Sequence, residues 1–191
     1  GDVYKRQPWK GRDELNLNVQ FSYNQLLGSM FYRAAGLPAY ESRAVAVRLN
    51  GVNHASPENA SVSRPFNHHF GFYVQNEPIN NRYVREHYPL EMGGNLYRMT
   101  GNGTGWDYFP GSNDLEADYR GSGWDKENND SLNDWSDLHS FIGVMSTASG
   151  ENYLKQIRRV MDVESWLRNL AVSTILTNGE NLSLIHISEP T

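Results

Sequence analysis

The sequence predicts an α+β fold in two lobes. Three observations carry the prediction. Apolar and polar residues alternate in short runs through the first half, apolar spacing becomes helical through the last third, and a Gly-, Asn- and Asp-dense stretch without a period lies between them.

LNLNV, from Leu15 to Val19, alternates in the manner of a half-buried strand. SYNQLLGSMFYRAAGLP then sets Leu26, Leu27, Met30, Phe31 and Ala34 at helical spacing, with Ser22 or Asn24 as the cap and Gly36 and Pro38 as the stop. RAVAVRLNG, Arg43 to Gly51, reads as a strand that ends in an Asn-Gly turn. NHASPENASVSRPFN has no period and reads as a loop. HFGFYVQNE, His69 to Glu77, is a second strand with Val45 to Leu49 as its partner, closed by Pro78, which supplies no ladder donor.

NNRYVREHY can form one or two helical turns, and GGNLYRM, Gly93 to Met99, is a third short strand. Gly101 to Asp134 reads as a long surface excursion. Beyond it, WSDLHSFIGVM places Leu138, Phe141, Ile142 and Met145 on one stripe, and SGENYLKQIRRVM carries another through Tyr153, Leu154, Ile157 and Val160. DVESWLRNLAVSTILTNG follows, with Asp162 as N-cap and Gly179 as stop. Its apolar residues cover most of the circumference, which predicts a buried helix. The organisation is therefore a mixed lobe over residues 8–99, an excursion over 100–134 and a helical lobe over 135–181, the lobes meeting between Pro78 and Tyr97.

Both ends stand apart from this pattern. One coding of LSLIHISEPT, Leu182 to Thr191, is CTGTCTCTTATACACATCTCCGAGCCCAC plus one base, and its reverse complement contains codons for GDVYKRQ, Gly1 to Gln7. The shared string resembles a transposase-type sequencing adapter. Residues 1–7 and 182–191 are accordingly expected to be translated adapter around an internal, metagenomic gene fragment, without a structural role.

Setting aside Asp2, Lys5, Arg6 and Glu189 leaves the net charge at −5, which offers nucleic acid no electrostatic footprint. The absence of cysteine excludes disulfides, zinc thiolates and cysteine nucleophiles from the chain. No apolar run reaches the roughly 20 residues of a membrane span. The 5 Trp, 11 Tyr and 7 Phe are enough to build a core despite low mean hydropathy.

Other candidate motifs weaken on inspection. His68 and His69 are adjacent on a strand and point to opposite faces, so they do not share one metal ion. Asp107, Asp114, Glu116, Asp118 and Asp125 lack the D-x-[DN]-x-[DN]-G spacing of a calcium loop. GNGTGW, Gly101 to Trp106, lacks the G-x-G-x-x-G spacing of a kinase phosphate loop, and no HRD, DFG or VAIK occurs. Asn59-Ala-Ser61 and Asn102-Gly-Thr104 fit glycosylation acceptors.

The order of the blocks is more specific than any one of them. LNLN with LLGSMFYRAAGLP, VRLNG, GFYVQNE, GNLYR, DYRG, WSDL and WLRNLAVSTILTNGE together resemble the spore-coat-protein-H (CotH) kinase family across nearly all of residues 8–181. The resemblance implies an atypical, two-lobed protein-kinase-like fold, here truncated in the helical lobe. It implies a secreted, cell-surface or spore-coat transferase that uses ATP with Mg2+ or Mn2+ to phosphorylate Ser or Thr of a protein substrate. It also leaves room for a non-catalytic coat or surface scaffold of the same fold.

The resemblance assigns roles residue by residue. Asn178-Gly179-Glu180 matches the family's Asn-x-acid step, so Glu180 is a base or metal contact, or else an exposed helix-end residue, and Asn178 accompanies it or caps the helix. Glu77 ends the strand corresponding to the hinge, as an adenine contact or a brace, and Arg98 stands where a basic residue faces phosphate or forms a surface salt bridge. Arg48 is structural. The family's Pro-x-Asp-x-Asp metal segment has no match in the chain, so the 191-residue polypeptide is expected to be inactive.

Overall fold

The computed structural model describes residues 14–18, 22–53, 73–100, 105–176 and 184–187. It is a mixed α+β chain with small antiparallel sheets, divided into two units between Pro78 and Ile79.

The first unit holds β1 (Asn16–Asn18), α1 (Ser22–Ala34), β2 (Ser42–Val45), β3 (Arg48–Leu49), β4 (Val52–Asn53) and β5 (Tyr73–Asn76). β5 is the central strand of β1-β5-β2, and the register places Ser42 opposite Asn76 and Val45 opposite Tyr73. The run expected as one strand from Arg43 to Gly51 is instead divided. Asn50 (φ 52°) and Gly51 (φ 78°) both take the left-handed conformation of a type I′ turn, which folds β3 back on β4. Among the described residues, Ser42 to Val45 are those of this run that pair with β5.

Helix α1 stops where its sequence says it should. Gly36 adopts φ 73°, and its N–H donates to the Arg33 carbonyl while the Leu37 N–H donates to that of Tyr32, the two bonds of a Schellman cap. Its orientation toward the sheet is marked by polar contacts. Ser29 Oγ donates to the Tyr40 carbonyl and Gln25 accepts from Asn76, so polar side chains join α1 to the sheet. Leu27, Met30 and Phe31 remain exposed. The periodicity identified the helix; the polar partners on β5 and beside β2 determined which side faces them.

The second unit holds α2 (Asn81–His87), β6 (Asn95–Met99), α3 (Leu115–Gly121), β7 (Trp124–Lys126), α4 (Ser136–Thr147), α5 (Tyr153–Ile157), α6 (Val163–Ile175) and β8 (Leu184–Ile187). Its sheet runs β7-β6-β8, antiparallel throughout. Tyr97, Tyr119, Trp124, Trp135, Leu138, Phe141 and Ile142 form its core, and the α4 stripe lies in it as the spacing predicts.

The stretch read as a surface excursion is corrected here. It supplies α3, β7 and two core aromatics, Tyr119 and Trp124, with Trp124 Nε1 donating to the Gly105 carbonyl at 2.9 Å. Its polar composition belongs to caps and turns: Asp114 caps α3 by accepting the Ala117 N–H at 3.1 Å. Composition masked the spaced aromatics that anchor the segment.

Helix α6 leaves Leu167 and Ile175 exposed and buries Ser173, because burial depends on what packs against a helix. Two further expectations fail. Helix α5 buries Ile157 but exposes Tyr153 and Leu154. The C-terminal ten residues, expected to take no structural part, contribute β8 to the edge of β6, since any extended backbone can satisfy a strand edge. Residues 1–7 lie outside the described residues.

Candidate functional site

Glu77 follows β5 and is buried. Its N–H donates to the Glu41 carbonyl at 2.8 Å, and its Oε2 accepts the Glu41 N–H at 3.0 Å. β2 begins one residue after Glu41, so the carboxylate continues the β2–β5 pairing past the last ladder residue, just where Pro78 brings no donor. A buried carboxylate requires such donors. These two bonds tie the end of β5 to the residue before β2.

Arg98 lies on β6, in the other unit. Its Nε donates to Glu127 Oε1 at 2.6 Å, and Nη2 is 3.9 Å from Asp125 Oδ2. Asp125 is shared with Arg120, which also binds Glu116 at 2.9 Å and lies 5.3 Å from the Trp135 ring. Burial raises the Glu127 carboxyl above its ordinary value, and Arg98 opposes that rise. Any anion approaching Arg98 competes with Glu127.

The densest polar constellation was missed by sequence reasoning. Asp137, in the first turn of α4, accepts from Asn95 Nδ2 at 2.7 Å and from the Tyr97 hydroxyl at 2.5 Å. Burial, then the bond to Asp137, pushes the Tyr97 phenol well above its usual range. Lys126, buried on β7, donates Nζ to the Asp134 carbonyl at 2.6 Å over the Tyr97 ring, and burial lowers its pKa against the pull of Asp137 and Asp134. Asn128 accepts the Leu96 N–H at 2.6 Å and donates to the Gly94 carbonyl at 2.9 Å, while Asn129 Nδ2 reaches Asn95 Oδ1 at 3.1 Å. The cluster locks β6, β7 and the start of α4 together. WSDL and the paired asparagines in KENND were its sequence signals, read as a helix start and a loop.

The acidic residues of the middle stretch serve separate local ends. Asp118 accepts from the Ser112 hydroxyl at 2.5 Å, Asp107 from that of Ser122 at 3.4 Å, and Glu116 and Asp125 pair with Arg120. Among the described residues no three His, Asp or Glu side chains converge to hold a metal ion. Asn178 and Glu180 lie outside the described residues, as do Gly179, His68, His69, Asn59 and Asn102.

The sequence matches the family described as CotH kinase protein over residues 2–184. The chain belongs to the CotH kinase family. No curated protein matches it. Two blocks that carry the family likeness are packing motifs here: DYRG supplies the buried Tyr119 and WSDL the buried Trp135 and Leu138. Among the described residues of this CotH-family chain, no helix is long and apolar enough to cross a membrane.

Proposed function

We propose that the protein is part of an atypical, two-lobed protein kinase that transfers phosphate from ATP to Ser or Thr of an extracellular, cell-surface or spore-coat protein. The family match over residues 2–184 is the observation that supports it. In this reading the substrate hydroxyl oxygen attacks the γ-phosphorus, the bond to the β–γ bridging oxygen breaks, and ADP leaves. Glu180 takes the hydroxyl proton or contacts metal, with Asn178 beside it, Arg98 meets phosphate, and Glu77 contacts adenine or braces its strand. Such transfer relies on positioning and charge neutralisation, and the group that neutralises the phosphates when bound is Mg2+ or Mn2+.

The 191-residue polypeptide itself is proposed to be inactive, because no Pro-x-Asp-x-Asp segment occurs in its sequence. The test is radiolabelled transfer with Mg2+ or Mn2+, on this chain and on the protein carried past Asn181 in its uninterrupted reading frame. Transfer by the longer protein, abolished by Glu180→Ala, supports the kinase; transfer by the 191-residue chain would refute its inactivity.

A second reading, a non-catalytic coat or surface scaffold, draws support from the pairing of Arg98 with Glu127. An uninterrupted reading frame that lacks a D-x-D pair beyond Asn181, with no transfer by the longer protein, would favour it.

A further inference from the structure

Helix α1 carries its apolar side outward. At about 100° per residue, Met30, Tyr23, Ala34, Leu27 and Phe31 fall within about 100° of arc, the width of a stripe that faces a core. Tyr23, Leu27, Met30 and Phe31 are nevertheless between 49% and 59% exposed, and Ala34 is exposed with them. The opposite side of the helix makes the polar contacts, with Ser29 Oγ donating to the Tyr40 carbonyl and Asn76 Nδ2 donating to Gln25 Oε1 at 2.6 Å. An exposed stripe of this kind marks an interaction surface.

The charge of the helix narrows what can cover it. Arg33 is the one charged residue of α1, and it lies off the stripe in the last turn. A lipid surface recruits an amphipathic helix through a row of cations beside the apolar face, which α1 lacks. A charged partner would find no counter-charge along the stripe. The fitting occupant is uncharged, apolar and elongated, and α1 itself has these properties.

Its side chains are also self-complementary in size. In an antiparallel pair related by a two-fold axis midway along α1, Tyr23 of one copy meets the partner's Ala34, and Leu27 meets the partner's Met30. The bulkiest side chain of the stripe thus faces the smallest, and two of middle size face each other. Gly28 lies beside the axis, and a Cβ added there would meet nothing within 4 Å, so the backbone is open to close approach. The two Arg33 side chains fall at opposite ends, which keeps like charges apart.

We propose that α1 is the interface of a two-fold symmetric dimer, its apolar stripe packed antiparallel on that of a second copy of this chain. The proposal is independent of phosphoryl transfer. One helix face is smaller than the roughly 800 Å² per partner of a standard interface, so the dimer should dissociate in roughly the micromolar range.

Sedimentation velocity on the full chain tests it. Wild type should show a monomer–dimer equilibrium, and Leu27→Asp, which sets a carboxylate in the stripe, should raise the dissociation constant at least about tenfold. Ala34→Tyr opposes two tyrosines at each end of the pair and should weaken it similarly. Adding Tyr23→Ala to Ala34→Tyr restores one large and one small side chain at each end and should return the constant to within about threefold of wild type. Rescue requires a folded helix, so it separates a lost interface from a lost fold. A wild-type chain that stays monomeric up to about 500 µM would overturn the second copy as occupant. Binding of that monomer to phosphatidylcholine vesicles, lost in Leu27→Asp, would give the stripe to a lipid surface instead. A dimer indifferent to both single substitutions would overturn α1 as the interface, oligomers larger than two would overturn the closed symmetry, and failure of the rescue would overturn the antiparallel register.

Discussion

The Glu77 carboxylate accepts the Glu41 N–H at 3.0 Å while the Glu77 N–H donates to the Glu41 carbonyl at 2.8 Å. The pair closes the end of the β2–β5 ladder. Glu77→Ala should therefore destabilise the fold by about 1–3 kcal/mol, since it removes a partner of a buried strand end. For a chain of this size that is a fall in Tm of roughly 2–4 °C per kcal/mol. Glu77→Gln keeps an acceptor oxygen and should lose less. Chemical denaturation of the three proteins checks the order, and an unchanged midpoint in Glu77→Ala would remove the brace.

Arg98 separates stability from nucleotide binding. Its pairs with Glu127 and Asp125 are half-exposed, so Arg98→Ala should change stability by no more than about 1 kcal/mol. If Arg98 meets phosphate, the same substitution weakens ATP binding by calorimetry, and Glu127→Gln, which removes one of the two carboxylate charges competing for the guanidinium, strengthens it. Equal ATP affinity in wild type and both variants would take Arg98 out of the site.

The Asp162 cap sets a pH dependence. The Ser165 hydroxyl and backbone N–H bind the carboxylate at 2.7 and 3.1 Å, and these bonds hold its pKa below the ordinary 3.8. The folded state thus binds the proton less readily than the unfolded one. The contribution is fully present above pH 3.8 and is lost as pH falls through the lower folded value. Asp162→Ala should cost about 0.5–2 kcal/mol at neutral pH, and less in strong acid. A difference between wild type and variant that stays constant down to the acid limit would contradict the assignment.

A Cβ added at Gly143 would come within 2.8 Å of Tyr108 Cε2, on a ring that lies 4.9 Å from the His139 ring. Gly143→Ala should displace the Tyr108 ring and destabilise the protein by about 1–3 kcal/mol, a loss partly offset by the better helix propensity of alanine. In a Tyr108→Ala background the same change should be neutral or stabilising. A double-mutant cycle by thermal denaturation gives the coupling, and additivity would show that the ring does not confine Gly143.

Asp137 serves the buried Tyr97 hydroxyl and the Asn95 amide together. Asp137→Ala leaves both without this acceptor and should cost about 1–3 kcal/mol for each group left unsatisfied. Asp137→Asn preserves one oxygen and should fall between. Urea midpoints test the series, and an Ala variant as stable as wild type would show that the cluster does not join β6 to α4.

Local chemistry was legible in the sequence. The helical spacing of α1 and its Gly36 stop, the Asn50-Gly51 turn, the α4 stripe and the Asp162 cap each depend on residues within a few positions of one another, and so they leave a readable pattern. The family was legible too, from the order of blocks. What the tertiary structure decided are the partnerships across long stretches of chain. Glu77 meets Glu41 over 36 residues, Tyr97 meets Asp137 over 40, and Asn95 meets the same carboxylate over 42. It also decided that α1 presents polar side chains to its sheet and that a glycine- and aspartate-rich stretch anchors a core through Tyr119 and Trp124. Periodicity records that a residue has a face, but a buried hydrogen bond depends on which distant group the folded backbone brings within about 3 Å, and no spacing in the sequence encodes that.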